Sequence, residues 1–330
     1  MPCSGLTIHT ADGRNLLART MDFDINPGAR LMMIPRGWPV QPSGAFPELI
    51  ESRYAQLAMG IMAGDLPLTL DGVNEHGLCC ALFYYPGFAR YEETADGRTP
   101  LDPARASQLT LATCKDLDET ERLLRDEYTL IAEPSPVLGV TPPLHYMFTD
   151  VSGETMIVEP DADGLKIYRN TVGVLTNAPG YLWQETNLRN YLGVNREPLT
   201  PVDLESRELT PISPRAALWG LPGDYTSVSR FVRVACLKRF IRKPRNENEG
   251  VTAAFHVLSA LDVPQVELAP GEAEATFTMY TAVLAANSKS YYFHTYDNRR
   301  VQAVSLENEN PDAAEIKHYM WHDGQDVLAL

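Results

Sequence analysis

Apolar and polar residues alternate with a period of two at the start of the chain. From Ser4 to Thr10 the pattern runs toward Leu6 and Ile8, Asp12-Gly13 supplies a turn, and Leu16 to Phe23 returns, which predicts a β-hairpin with Cys3 at the mouth of a sheet. Further strands are expected at Leu31–Ile34, Tyr54–Met62, Leu78–Tyr85, His145–Asp150, Thr155–Glu159, Leu165–Tyr168 and Gly173–Thr176, many closed by Gly, Pro or Asp-Gly turns. Strands return at Ala275–Leu284, Ser290–Tyr296 and Val301–Leu306.

A period near 3.6 is found in three places. Ala104–Tyr128 reads as two short helices broken near Asp116–Asp118. Ser229–Arg242 places Phe231, Val234, Ala235, Leu237 and Ile241 on one side, and Val251–Leu261 is a second apolar helix. Strands and helices come in blocks, so the expected class is α+β and not a doubly wound parallel sheet. Pro86–Pro103 and Glu197–Pro214 read as long surface loops, since ordered patterns resume beyond each; with no internal repeat, residues 3–330 read as one domain.

The 330 residues, 44% hydrophobic and 22% charged, are those of an ordinary globular protein. Their 28 Lys+Arg against 43 Asp+Glu give a net charge of -15, which repels nucleic-acid phosphates and anionic membranes and points to a small-molecule partner. The chain shows neither the ~18-residue apolar run of a membrane span nor a signal peptide at its start, so a cytoplasmic location is expected. The five cysteines, Cys3, Cys79, Cys80, Cys114 and Cys236, lack C-x-x-C spacing and read as reduced thiols.

Several signatures are missing: no Gly-x-Gly for a dinucleotide, no Gly-Lys for a P-loop, no Gly-x-Ser-x-Gly elbow. His318 and His322 have i, i+4 spacing without the Glu of a zinc-peptidase motif, so neither a metal nor a cofactor is expected. Cys3 offers other chemistry. Once Met1 and Pro2 are removed, this residue carries both a thiol and a free α-amine, which titrate near ~8.5 and ~8, so a proton passes between them at little cost. Arg19 and Asp22 lie on the return strand, where the hairpin brings them beside Cys3; a guanidinium favours thiolate and a carboxylate would hold the α-amine. Taken singly, each of these residues also has an ordinary structural reading: a buried thiol, or a charged pair on a strand.

The residues together carry a resemblance. Cys3, Ala18-Arg19-Thr20-Met21-Asp22-Phe23, Asp71-Gly72-Val73-Asn74-Glu75, Val174-Leu175-Thr176-Asn177, Thr186-Asn187-Leu188-Arg189, Gly220-Leu221-Pro222-Gly223-Asp224 and Ser229-Arg230-Phe231 resemble, in order and over nine-tenths of the chain, the choloylglycine hydrolase family of N-terminal nucleophile hydrolases. That family includes penicillin V acylases and conjugated bile salt hydrolases. The resemblance implies a four-layer αββα fold and an amidase that cuts a linear carbon–nitrogen bond. It implies Cys3 as nucleophile, Arg19 and Asp22 as its close partners, Asn177 as oxyanion donor and Arg230 as a further cation. Tyr84 stands where bile salt hydrolases usually carry Asn and penicillin V acylases Tyr, so the expected substrate has an aryl or other apolar acyl group, with Tyr84 completing the oxyanion hole through its N–H. Met21, Met62 and Trp183 are the substrate-pocket candidates, each of which also reads as a core side chain.

Bile salt hydrolysis, N-acyl homoserine lactone cleavage and a catalytically silent binding protein of the same fold are the alternatives. The chain departs from the family in Pro2, which requires removal of a two-residue leader, and around Ser213–Trp219, where a Gly-rich stretch is usual near a loop that helps build the family's homotetramer.

Overall fold

The computed structural model describes residues 3–24, 28–46, 48–135, 137–213, 218–266, 276–322 and 324–330. The expected hairpin is present, with Ser4–His9 antiparallel to Asn15–Phe23 and Gly5 opposite Arg19. It forms the heart of a six-stranded antiparallel sheet whose spatial order is Val174–Leu175, Ser4–His9, Asn15–Phe23, Phe277–Ala285, Ser290–Thr295, Gln302–Ser305. The second sheet has eight strands, in the order Gly164–Tyr168, Thr155–Asp161, Leu144–Thr149, Cys79–Tyr84, Leu66–Asn74, Gln56–Ala63, Arg30–Ile34, Lys317–His318.

Helices cover the outer face of each sheet. Ser227–Phe240 and Glu247–Ser259 lie on the six-stranded sheet, and Ala106–Thr113 packs on the Leu66–Asn74 and Cys79–Tyr84 strands of the other, so the layers run αββα. Alternation explains the layering. In the Cys79–Tyr84 strand, Cys79, Ala81 and Phe83 enter the core between the sheets, whereas Cys80 and Leu82 enter the core under the Ala106–Thr113 helix. All five cysteines are free and buried.

Two of the helices begin earlier than apolar periodicity indicates, because polar caps set their starts. Thr226 accepts from Ser229 N, so that helix starts at Ser227, and Asn246 accepts from Glu249 N, so the next starts at Glu247. Ala104–Tyr128 holds Ala106–Thr113 and Leu117–Arg122, then ends in a short strand, Tyr128–Leu130. Several elements have no counterpart in the sequence pattern, among them Thr99–Leu101 within the supposed Pro86–Pro103 loop and the two that follow. Leu66–Asn74 contains Pro67, Asp71 and Gly72, which locally oppose a strand, yet lies at the centre of the eight-stranded sheet. Tyr181–Leu188 is a short helix directly after Pro179-Gly180. The supposed loop Glu197–Pro214 contains an exposed hairpin, Val202–Leu204 with Arg207–Leu209, while Pro214 lies outside the described residues, as does Ala275. His318 sits in a strand paired with Met32, so it and His322 share no helix face. Among the described residues no helix is long and apolar enough to cross a membrane.

The two sheets press together at Gly5, where a Cβ would stand 2.5 Å from Phe83 Cζ and 3.3 Å from Met147 Sδ. Phe83 is fully buried and has nowhere to move. Gly5→Ala is therefore expected to destabilise the fold by about 1–3 kcal/mol through overpacking, read as a lower urea midpoint at unchanged slope.

Candidate active site

Hairpin register builds the site. Arg19, Met21 and Phe23 occupy alternate positions of Asn15–Phe23 and line one cavity, and Cys3, just before the opposing strand, lines the same cavity. Arg19 Nη2 donates to Cys3 Sγ at 3.4 Å, and the thiol donates to the Asp22 carbonyl at 3.7 Å.

Arg19 is wholly buried and pairs with Asp71 at 3.0 Å. Asp71 also accepts from the Tyr280 hydroxyl at 2.7 Å and from the Tyr291 hydroxyl. Burial alone would lower the Arg19 pKa, but Tyr280, Cys3 and Asp71 outweigh it, and the guanidinium is held charged above its usual range. It also lies 5.2 Å over the Phe83 ring. A bulge at Met279 in the Phe277–Ala285 strand shifts the register between Thr278, opposite Asp22, and Tyr280, opposite Met21.

The Asp22 carboxylate accepts from Thr20 Oγ1 at 3.0 Å and from Thr278 Oγ1. The hydrogen bond made by the Cys3 backbone nitrogen goes elsewhere, to Asn177 Oδ1 at 2.8 Å. Burial pushes Asp22 up to about 6, against the pull of Thr278, Arg230, Thr20 and Arg19.

Arg230, in the first turn of the Ser227–Phe240 helix, ties three pieces together. Its Nη1 donates to the Cys3 carbonyl and, at 2.8 Å, to Ser4 Oγ; its Nη2 donates to Asn177 Oδ1 at 2.7 Å. Burial lowers its pKa to about 10 although Asp22 and Cys3 oppose that, so it remains a cation at neutral pH. Asn177 is thus oriented from both ends: Oδ1 receives Arg230 and Cys3 N, while Nδ2 donates to the Tyr84 carbonyl at 2.7 Å. One Nδ2 hydrogen is left for another acceptor. Because Tyr85 N donates to the carbonyl of Pro143, just before the neighbouring Leu144–Thr149 strand, the Tyr84 N–H points to the opposite side, the same side as its carbonyl and Asn177.

The structure therefore brings Cys3, Arg19, Asp22, Tyr84, Asn177, Arg230 and Met21 into one place. Met62 and Trp183 lie elsewhere. Along Gln56–Ala63 it is Ile61 that lines the cavity, whereas Met62 faces the opposite way and packs with Met32, Ile34 and Ala58; a period of two separates neighbours by a whole sheet. In Tyr181–Leu188, Tyr181 and Gln184 turn inward and Trp183 is 51% exposed. Asp71, Tyr280, Tyr291, Thr20 and Thr278 complete the site without having been expected in it. Asp71 alone left a local signal, a carboxylate inside an apolar run.

Comparison with known proteins gives the same frame. The profile of the linear amide C–N hydrolases, choloylglycine hydrolase family, matches residues 3–319. The chain belongs to this family. It is 31% identical over 321 residues to the bile salt hydrolase/transferase of Clostridium perfringens, covering 97% of each chain, and 29% identical over 319 residues to that of Lactiplantibacillus plantarum, covering 96% of each. A mutant of the conjugated bile acid hydrolase from Clostridium perfringens superposes with a TM-score of 0.90 at 29% identity over 99% of both chains. The penicillin V acylase of Agrobacterium tumefaciens has the same fold, with a TM-score of 0.75 at 21% identity over 96% of this chain and 90% of that one. The layering of the structure is the N-terminal nucleophile hydrolase sandwich, and the protein is a linear amide hydrolase.

The raised Asp22 pKa has a stability consequence. The folded carboxyl keeps its proton up to about pH 6 and the unfolded one only up to 3.8, so folding takes up a proton between these values. Burying the anion therefore costs stability above about pH 6, and the cost fades as pH falls from about 6 to 4. Asp22→Asn is expected to be more stable than the parent at pH 7.5, by about 2–3 kcal/mol at most, with the gap closing toward pH 4 in urea titrations. A gap that stays constant with pH would contradict the assignment.

Proposed function

We propose that the mature chain starts at Cys3 and hydrolyses amides of aryl or other apolar acyl groups, penicillin V serving as the reference substrate. The observation that carries this reading is the cavity beside the Cys3 sulfur. Its walls are Met21, Phe23, Ile61, Leu68, Leu70, Leu82, Tyr84, Leu144 and Met279, with Arg19 the charged group among its lining residues. These walls are almost wholly apolar and include Tyr84, which suits an aryl or other apolar acyl group.

In the proposed mechanism the α-amine of Cys3 takes the thiol proton and the thiolate attacks the acyl carbonyl. The oxyanion is met by the remaining Nδ2 hydrogen of Asn177 and the Tyr84 N–H, an effect of about 3–4 kcal/mol for one donor. Collapse breaks the C–N bond, and the α-ammonium gives its proton to the departing amine. Water, giving a proton to the same α-amine, then attacks the thioester; the acid leaves and the proton returns to sulfur. Arg230, bound to the Cys3 carbonyl, and Asn177, bound to the Cys3 nitrogen, fix the nucleophile's backbone, and Arg19 places positive charge on the sulfur. Met1 and Pro2, outside the described residues, must be cut away to free that nitrogen.

A second reading, hydrolysis of conjugated bile salts, is favoured by the 31% identity to the Clostridium perfringens bile salt hydrolase/transferase along the whole chain. The purified protein assayed with penicillin V, penicillin G and glycocholate is expected to release 6-aminopenicillanic acid faster than glycine; the reverse order supports the second reading. Cys3→Ala is expected to lose at least about a thousandfold in kcat, and intact mass should show a chain starting at Cys3. Undiminished hydrolysis by Cys3→Ala, or full activity in a chain still starting at Met1, would overturn the mechanism. The expected assembly is a homotetramer, supported by Val202, Leu204 and Leu209, exposed together on the Val202–Leu209 hairpin; light scattering after gel filtration should give four times the 36.7 kDa chain mass.

A further inference from the structure

Behind the oxyanion donors lies a buried ionisable pair that the mechanism above does not use. His145 Nδ1 is 3.0 Å from Glu159 Oε1, and both side chains are completely inaccessible to solvent. His145 Nε2 lies 3.1 Å from the Thr176 carbonyl, which can only accept, so Nε2 carries a hydrogen and donates. On the far side of Asn177, Tyr181 N donates to both Glu159 oxygens at 3.0 Å. The two residues thus grip the chain immediately before and shortly after Asn177. The strand of the other donor is held by the same ring. Tyr85 stacks on His145 with centroids 4.4 Å apart and planes 4° from parallel, and Phe83 meets it edge-on at 6.1 Å. The loop is pressed close as well: a Cβ at Gly180 would stand 2.5 Å from the Tyr85 hydroxyl and 3.0 Å from Glu159.

A buried polar pair is a poor device for stability, because apolar residues of the same volume usually serve as well or better, but it fixes geometry through directional hydrogen bonds. We infer that His145 and Glu159 are positioning residues that hold Asn177 and the Tyr84 N–H at one spacing, so that both donors meet the same oxyanion. The inference rests on the Cys3 mechanism proposed above.

The test compares two reactions of the same sulfur. Amide hydrolysis passes through an oxyanion; alkylation by iodoacetamide displaces iodide at a saturated carbon and forms none. In the full-length mature enzyme, His145→Gln and Glu159→Gln are each expected to lower kcat about ten- to hundredfold, with KM and the rate of Cys3 alkylation within about twofold of the parent. A folded variant with unchanged kcat overturns the inference, and so does a fall in alkylation that matches the fall in kcat, since that is general damage to the site. If His145→Gln does not fold, Glu159→Gln, which keeps the volume, decides by the same comparison. Failure of the underlying mechanism reads differently: the parent enzyme would keep its activity after Cys3 is fully alkylated.

Discussion

Two guanidinium groups, Arg19 and Arg230, are the largest fully buried side chains among the described residues, and placing them inside dictates what surrounds Cys3. Desolvating a guanidinium costs several kcal/mol unless its donors find acceptors and its charge finds a partner. Arg19 meets this with Asp71, which brings Tyr280 and Tyr291 with it; Arg230 meets it largely with carbonyl and amide oxygens, those of Cys3, Asn177 and Tyr225. Cys3 sits between the two. Its backbone is bound to one cation and its sulfur to the other, so the charge that organises the site also places the sulfur.

The two sheets divide the work. The six-stranded sheet supplies the charged groups from its central hairpin, and the eight-stranded sheet supplies most of the apolar wall of the cavity and the Tyr84 backbone. Their junction is buried, which strengthens each hydrogen bond within it and makes every unpaired polar group expensive. Asn177 belongs to neither sheet. It follows the short strand Val174–Leu175 and depends on groups from three directions, Arg230, Tyr84 and the His145–Glu159 pair behind Thr176, for its orientation.

Much of this could be read along the chain. The first hairpin follows from a period of two and an Asp-Gly turn, and that same period puts Arg19 and Met21 on one face without any tertiary information. Tyr84 and Cys3 were legible through the motifs around them. Leu66–Asn74 was not, because Pro67, Asp71 and Gly72 oppose a strand in local terms; the pairing partners on both sides and the helix above override that preference. Met62 was misplaced for a smaller reason. Membership of a strand is visible in sequence, but which of two neighbours faces a cavity depends on register, and here it is Ile61.

By itself the sequence determined the class of fold, the hairpin at its centre and a cysteine placed just before that hairpin, since these rest on local periodicity, turn chemistry and residue type. Only the tertiary structure decided which groups reach that cysteine. Asp71, Tyr280 and Tyr291 converge on Arg19, and His145 and Glu159 converge on the segment of Asn177, across separations of tens to hundreds of residues. The reason is the cost of burial: a charged or polar group enclosed between two sheets must be satisfied by whatever strand the topology lays beside it, and strand order is a property of the whole chain and of no segment within it.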